Sequence, residues 1–88
     1  MKHAGPRALE RLAPLLSELR VIPGLVERKR GIFYHGAAAF LHFHEDPAGM
    51  FADIKRGSNF ERLRVNTPRE SARVLRMAKA LATRRPGR

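Results

Sequence analysis

The sequence predicts an α+β fold: a two-layer sandwich in which a four-stranded antiparallel meander is flanked by an N-terminal and a C-terminal helix. Three observations carry this expectation. Apolar residues recur every three to four positions before Arg20 and again after Thr67, which is the period of a helix with one buried face. Between Leu25 and Val65 the period falls to two, the signature of strands whose side chains alternate across a sheet. Short turn motifs rich in Gly, Pro and Asp separate the alternating runs.

The first segment, Ala8 to Arg20, sets Leu9, Leu12, Leu16 and Leu19 on one stripe with Leu15 beside it. Pro14 interrupts it, because proline removes a helical hydrogen bond and crowds the preceding turn. Either the helix kinks there or a shorter helix starts at Pro14 with Ala13 as its cap. Val21-Ile22-Pro23-Gly24 ends it, since the residue before a proline avoids the α region. Leu25 to Tyr34 then reads as one strand, frayed in its centre by Glu27-Arg28-Lys29-Arg30. His35-Gly36 reads as a two-residue turn and Ala37 to Glu45 as the second strand. Asp46-Pro47-Ala48-Gly49 is strong turn chemistry, and Met50 to Lys55 makes the third strand. After the Arg56-Gly57-Ser58-Asn59 loop, Phe60 to Val65 is the fourth strand. Thr67-Pro68-Arg69-Glu70 is a capping box with proline at the first helical position. The helix it opens runs to about Thr83, with Ser71, Val74, Leu75, Ala78, Leu81 and Ala82 facing inward. Residues 1–83 form one domain, and Arg84 to Arg88 a basic disordered tail.

The Asp-Pro-Ala-Gly turn fixes a register. Pairing Glu45 with Met50 sets Leu41 against Ile54 and Phe43 against Ala52 on the face that both helices cover. Phe40, His42, His44, Phe51, Asp53 and Lys55 fall on the opposite face. A slip of one residue would mix polar and apolar side chains on both faces, which excludes it.

The chain has 88 residues, no cysteine and a formal charge of +10. Disulfides, thiolate metal sites and cysteine nucleophiles are therefore excluded. No apolar run approaches the ~20 residues a membrane span needs. MKHAGPRALERL is broken by Pro, Arg and Glu, so no secretory leader is expected, and a soluble cytoplasmic protein with no membrane partner is. Half of the charge excess comes from Lys2, Arg7, Arg84, Arg85 and Arg88, at the two ends. Such a charge attracts polyanions without selectivity and is screened by salt.

The run IPGLVERKRGIFYHGAAAFLHFHED, then FADIK, then the helix opened by TPRE, resembles the small, largely uncharacterised "luciferase domain" family. The resemblance covers about residues 15–82. It implies a Leu-Pro-Gly element before the sheet, a His-x-His strand and then an Asp-containing strand, which Ile22-Pro23-Gly24, His42-Phe43-His44 and Asp53 match. No Trp follows the third strand, a departure from that pattern. The layout is also similar to the YjbR-like proteins, compact α+β domains proposed to bind DNA. What the resemblance implies concerns the fold more than an activity.

His42, His44 and Asp53 have the types and spacing of a two-His, one-carboxylate metal site, making a divalent metal the one cofactor to consider. The plainer expectation is a pair of half-solvated imidazoles with His42 hydrogen-bonded to Asp53 across the strands. A small-ligand pocket beneath Phe40 and Phe51 is a further alternative, with Lys55 on the same face. No nucleophile elbow surrounds Ser17, Ser58 or Ser71, and no phosphate-binding glycine motif or catalytic carboxylate pair is present. A binding or interaction module is expected rather than an enzyme. Nucleic acid is the competing partner, with Arg69, Arg73, Arg76 and Lys79 forming a basic row on the last helix. A homodimer or a protein partner seated on the exposed sheet face is the remaining expectation.

Overall fold

Four two-residue turns fold residues 25–64 back and forth into an antiparallel meander, in a computed structural model that describes residues 2–83. In chain order the elements are β1 (Lys2–His3), α1 (Pro6–Arg11), α2 (Ala13–Arg20), β2 (Leu25–Lys29), β3 (Ile32–His35), β4 (Ala38–Asp46), β5 (Gly49–Arg56), β6 (Asn59–Arg64) and α3 (Pro68–Ala82). The sheet order is β2-β3-β4-β5-β6, with β1 added to β4. The fold is thus α+β, an open antiparallel sheet with helices from both ends of the sequence. The tail expected at residues 84–88 lies outside the described residues.

The meander has five strands rather than four. The segment expected as one frayed strand turns at Arg30-Gly31 and makes a hairpin, β2 against β3. Gly31 has φ +81°, and a Cβ there would lie 2.6 Å from Leu9 Cδ2, so the turn needs glycine on both counts. The Glu27 carboxylate accepts a 2.8 Å hydrogen bond from the Gly31 amide and also pairs with Arg20 of α2. The next turn sits one residue later than expected, at Gly36-Ala37, leaving His35 in β3. The β4–β5 turn is as expected: Asp46 Oδ1 accepts from the Ala48 amide at 2.8 Å. Its register pairs Glu45 with Met50, His42 with Asp53 and Leu41 with Ile54.

Leu12 ends α1 and begins α2, which resolves the alternatives around Pro14. Pro14 falls in the first turn of α2, where its missing N–H leaves no helical bond unmade. At α3, Thr67 Oγ1 accepts from the Glu70 amide at 3.1 Å while Glu70 Oε1 accepts from the Thr67 amide at 3.2 Å. That is the capping box read from TPRE.

All three helices contribute to one core on one side of the sheet. Leu16, Leu19, Phe33, Leu41, Phe43, Ile54, Val65 and Val74 are its largest fully buried side chains. Burying this much aliphatic and aromatic surface supplies the main favourable term of folding, roughly 1.5–3 kcal/mol per large side chain. Among the described residues no helix is long and apolar enough to cross a membrane. No helix among the described residues lies on the other side of the sheet, and the side chains there make the candidate site.

Candidate functional site

The pairing registers fix what shares the open face. One cross-strand row runs Ile32, His42, Asp53, Arg62, and the next runs His3, His44, Phe51, Arg64. Lys55 opposite Phe60 starts a third row. His42, His44, Phe51, Asp53 and Lys55 are therefore where alternation placed them.

Phe40 is not among them. A bulge in β4 sets Phe33 opposite Leu41 but Tyr34 opposite Ala39, so Phe40 is the extra residue. Bulges turn a side chain out of strict alternation. Phe40 follows Leu41 into the core, 4% exposed, with its ring edge-on to His35 at 5.5 Å. The expected pocket beneath Phe40 and Phe51 has its two rings on opposite faces of the sheet.

His3 takes the vacant place. Beyond Ile32, β3 no longer pairs with β4, and β1 continues along the same edge of β4 with His3 opposite His44. The Ala4 amide donates to the Phe43 carbonyl at 3.0 Å and the Gly5 amide to Glu45 Oε2 at 2.6 Å, fastening the chain as it leaves β1. The three imidazoles converge: His3 to His44 at 4.7 Å, His42 to His44 at 4.9 Å and His3 to His42 at 5.7 Å between ring centroids. One ring nitrogen from each lies within 4.8 Å of the other two. His42 Nδ1 and His44 Nε2 are 3.0 Å apart, within hydrogen-bond distance.

Asp53 does not bond His42, against the plainer expectation. Arg62 donates to both its oxygens, at 2.7 and 2.8 Å, and His44 Nε2 lies 3.2 Å from Oδ2. This two-pronged bond holds the Asp53 carboxyl below its ordinary range, against the opposing effect of burial. The contact also selects a tautomer for His44. Its Nδ1 is buried and has no partner, so the proton belongs on Nε2, where Asp53 and His42 both accept it. Burial, reinforced by the neighbouring His44 and His3 and opposed by Asp53, lowers the His42 pKa below its ordinary value. Burial thus favours the neutral form of His42, the form in which imidazole binds metals.

Aromatic and cationic side chains surround the imidazoles. Phe60 is 44% exposed and its ring is 5.1 Å from that of His42. The Arg28 guanidinium lies 4.6 Å from the Tyr34 ring centroid, and that of Arg64 lies 5.7 Å from Phe51. Sequence reasoning left Phe60 and the Asp53–Arg62 pair outside the site. Both follow from closing the β5–β6 hairpin at Gly57-Ser58. Nothing local announces His3.

A groove of ≈ 830 Å³ lies elsewhere, between α1, α2, the β4–β5 turn and the start of α3. Arg7, Arg11, Glu18 and Glu45 give its rim both signs of charge, and no histidine lines it. Size alone does not make it the site, since the convergent polar groups are on the other side of the sheet. On α3, Arg69, Arg73, Arg76 and Lys79 are all exposed, as the helical period required.

No protein-family model, curated protein or solved structure matches the chain. The functional reading therefore stands on the geometry of these residues.

Proposed function

We propose that this protein is a small binding domain whose working surface is the open face of the sheet, and that its ligand there is a transition-metal ion held by His3, His42 and His44. The observation that carries the reading is the convergence of three ring nitrogens within 4.8 Å on two adjacent strands. Ligands on a tetrahedral ion with metal–nitrogen distances of about 2.0–2.1 Å sit roughly 3.3 Å apart. His42 Nδ1 and His44 Nε2, at 3.0 Å, already approach that spacing. His3, the exposed member on a two-residue strand, makes the remaining adjustment.

In this reading His44 gives up its Nε2–H contact with Asp53 and carries its proton on Nδ1 instead, freeing Nε2 for the ion, and binding weakens in acid as the imidazoles take up protons. Three imidazoles suit Zn(II), Ni(II) and Cu(II) better than the hard cations Mg(II) and Ca(II). Asp53, kept ionised by Arg62, stands beside His44 Nε2 and places a negative charge next to the ion. Kinship with the luciferase-domain family is part of the same proposal, with His42, His44 and Asp53 as the matching positions.

Thermal unfolding with Zn(II), Ni(II) or Cu(II), each against a chelator control, tests it. A ligand that binds only the folded state adds about 2.7 kcal/mol at a hundredfold excess over Kd. In a domain of this size that raises Tm by roughly 10 °C or more. The rise should vanish in His44→Ala and shrink strongly in His3→Ala, whose exposed side chain is not needed for folding. No rise with any of the three metals, or a rise equal in wild type and both variants, would refute the proposal.

A further inference from the structure

The imidazoles occupy the centre of the open face and do not account for its flanks. Four successive strands each present a ring there: Tyr34 on β3, His42 on β4, Phe51 on β5 and Phe60 on β6. Two of these rings have guanidinium groups beside them, Arg28 at Tyr34 and Arg64 at Phe51. Lys55 stands across from Phe60. Acidic groups on this face are few. Asp53 is bound by Arg62, and Asp46 lies at the turn, where its side chain holds the Ala48 amide.

We infer that this face binds single-stranded nucleic acid, bases stacking on the rings and phosphates meeting the cations between them. Every base has a π-face, so a row of rings at strand spacing receives unpaired bases whatever their sequence. Four neighbouring strands with a ring on each, Phe60 exposed and Tyr34, His42 and Phe51 half-buried, offer a platform for two or three bases. A duplex fits poorly, because its bases are already stacked on one another and its grooves admit a helix or ribbon rather than a broad sheet. The charge of +10 supplies the complementary long-range attraction. The competing location is the row Arg69, Arg73, Arg76 and Lys79 on α3, which lacks aromatic neighbours and would track phosphates of any nucleic acid. The inference does not depend on the metal, and the test is run in chelator so that the two readings fail separately.

Fluorescence anisotropy with labelled twelve-nucleotide oligo-dT and oligo-U, and a twelve-base-pair duplex, at 50 and 200 mM salt, decides the matter. Single strands should bind more tightly than the duplex at the higher salt, and the dT and U arms separate DNA from RNA preference. Phe60→Ala removes an exposed ring without touching the core and should weaken single-strand binding about 5-fold or more. Gln at Arg73 and Arg76 together should leave the single-strand preference in place. Equal affinity for duplex and single strand, or loss on changing Arg73 and Arg76 but not Phe60, would place binding on α3 and overturn the inference. So would the absence of binding, including the case where sedimentation shows a second copy of the chain on this face in a dimer that Phe60→Ala dissociates.

Discussion

At the scale of the residue, the His42 imidazole carries a pH dependence whose sign follows from its surroundings. Its folded pKa is lowered, chiefly by burial, so below about pH 6.5 the unfolded chain takes up a proton more readily than the folded one. The corresponding stability is full above that pH and is lost as pH falls towards the folded value. In metal-free protein, the urea midpoint should therefore fall between pH 7 and pH 5.5, and His42→Gln should flatten that slope. An unchanged slope in the variant would assign the effect to another group. Asp53 behaves differently: its pKa is lowered by Arg62, so its contribution is lost only in strong acid, below about pH 4. Alternation and the Asp46-to-Gly49 turn made His42, His44 and Asp53 legible as neighbours, because a strand has only two faces. Phe40 was misplaced because a bulge leaves no mark in the pattern when both flanking residues are apolar. His3 was illegible for another reason: its place depends on a two-residue pairing with β4 some forty positions away.

At the scale of the element, local chemistry decides most boundaries. The Thr67–Glu70 box satisfies amides that the first turn of α3 would otherwise leave to water. Thr67→Ala should lower stability by about 1 kcal/mol, read from the urea midpoint at constant slope. A neutral outcome would mean that water replaces the cap at no cost. The Leu25–Tyr34 stretch shows where local reading fails. Its run of Glu27, Arg28, Lys29 and Arg30 looks like a frayed strand, yet the charges suit an edge strand, where they discourage pairing with other chains. Gly31 was the signal for the turn. Gly31→Ala forces an alanine into positive φ and against Leu9, and should cost about 1–3 kcal/mol. A smaller loss would mean that Leu9 and the turn relax together.

At the scale of the whole molecule, the helices on one side and the bare sheet on the other divide the labour. Leu9, Leu16, Phe43, Ile54 and Val74 belong to the layer that stabilises the fold, and the opposite face is left to chemistry. This division was readable from periodicity, since two amphipathic helices and an alternating sheet can bury their apolar sides only against each other. The +10 charge was equally plain, but its use was not, because composition does not say which cations share a face with which rings. Only the closed hairpins bring Arg28 to Tyr34 and Arg64 to Phe51. The chain has four histidines, and the fourth, His35, is turned towards the core beside Phe40, away from the other three. That arrangement supplies an internal control for the metal proposal. The imidazole resonances should be followed by NMR while one equivalent of Zn(II) is added. Signals of His3, His42 and His44 should shift together and saturate near one ion per chain, with His35 unmoved. Four histidines responding alike, or none responding at one equivalent, would contradict a metal site on the open face.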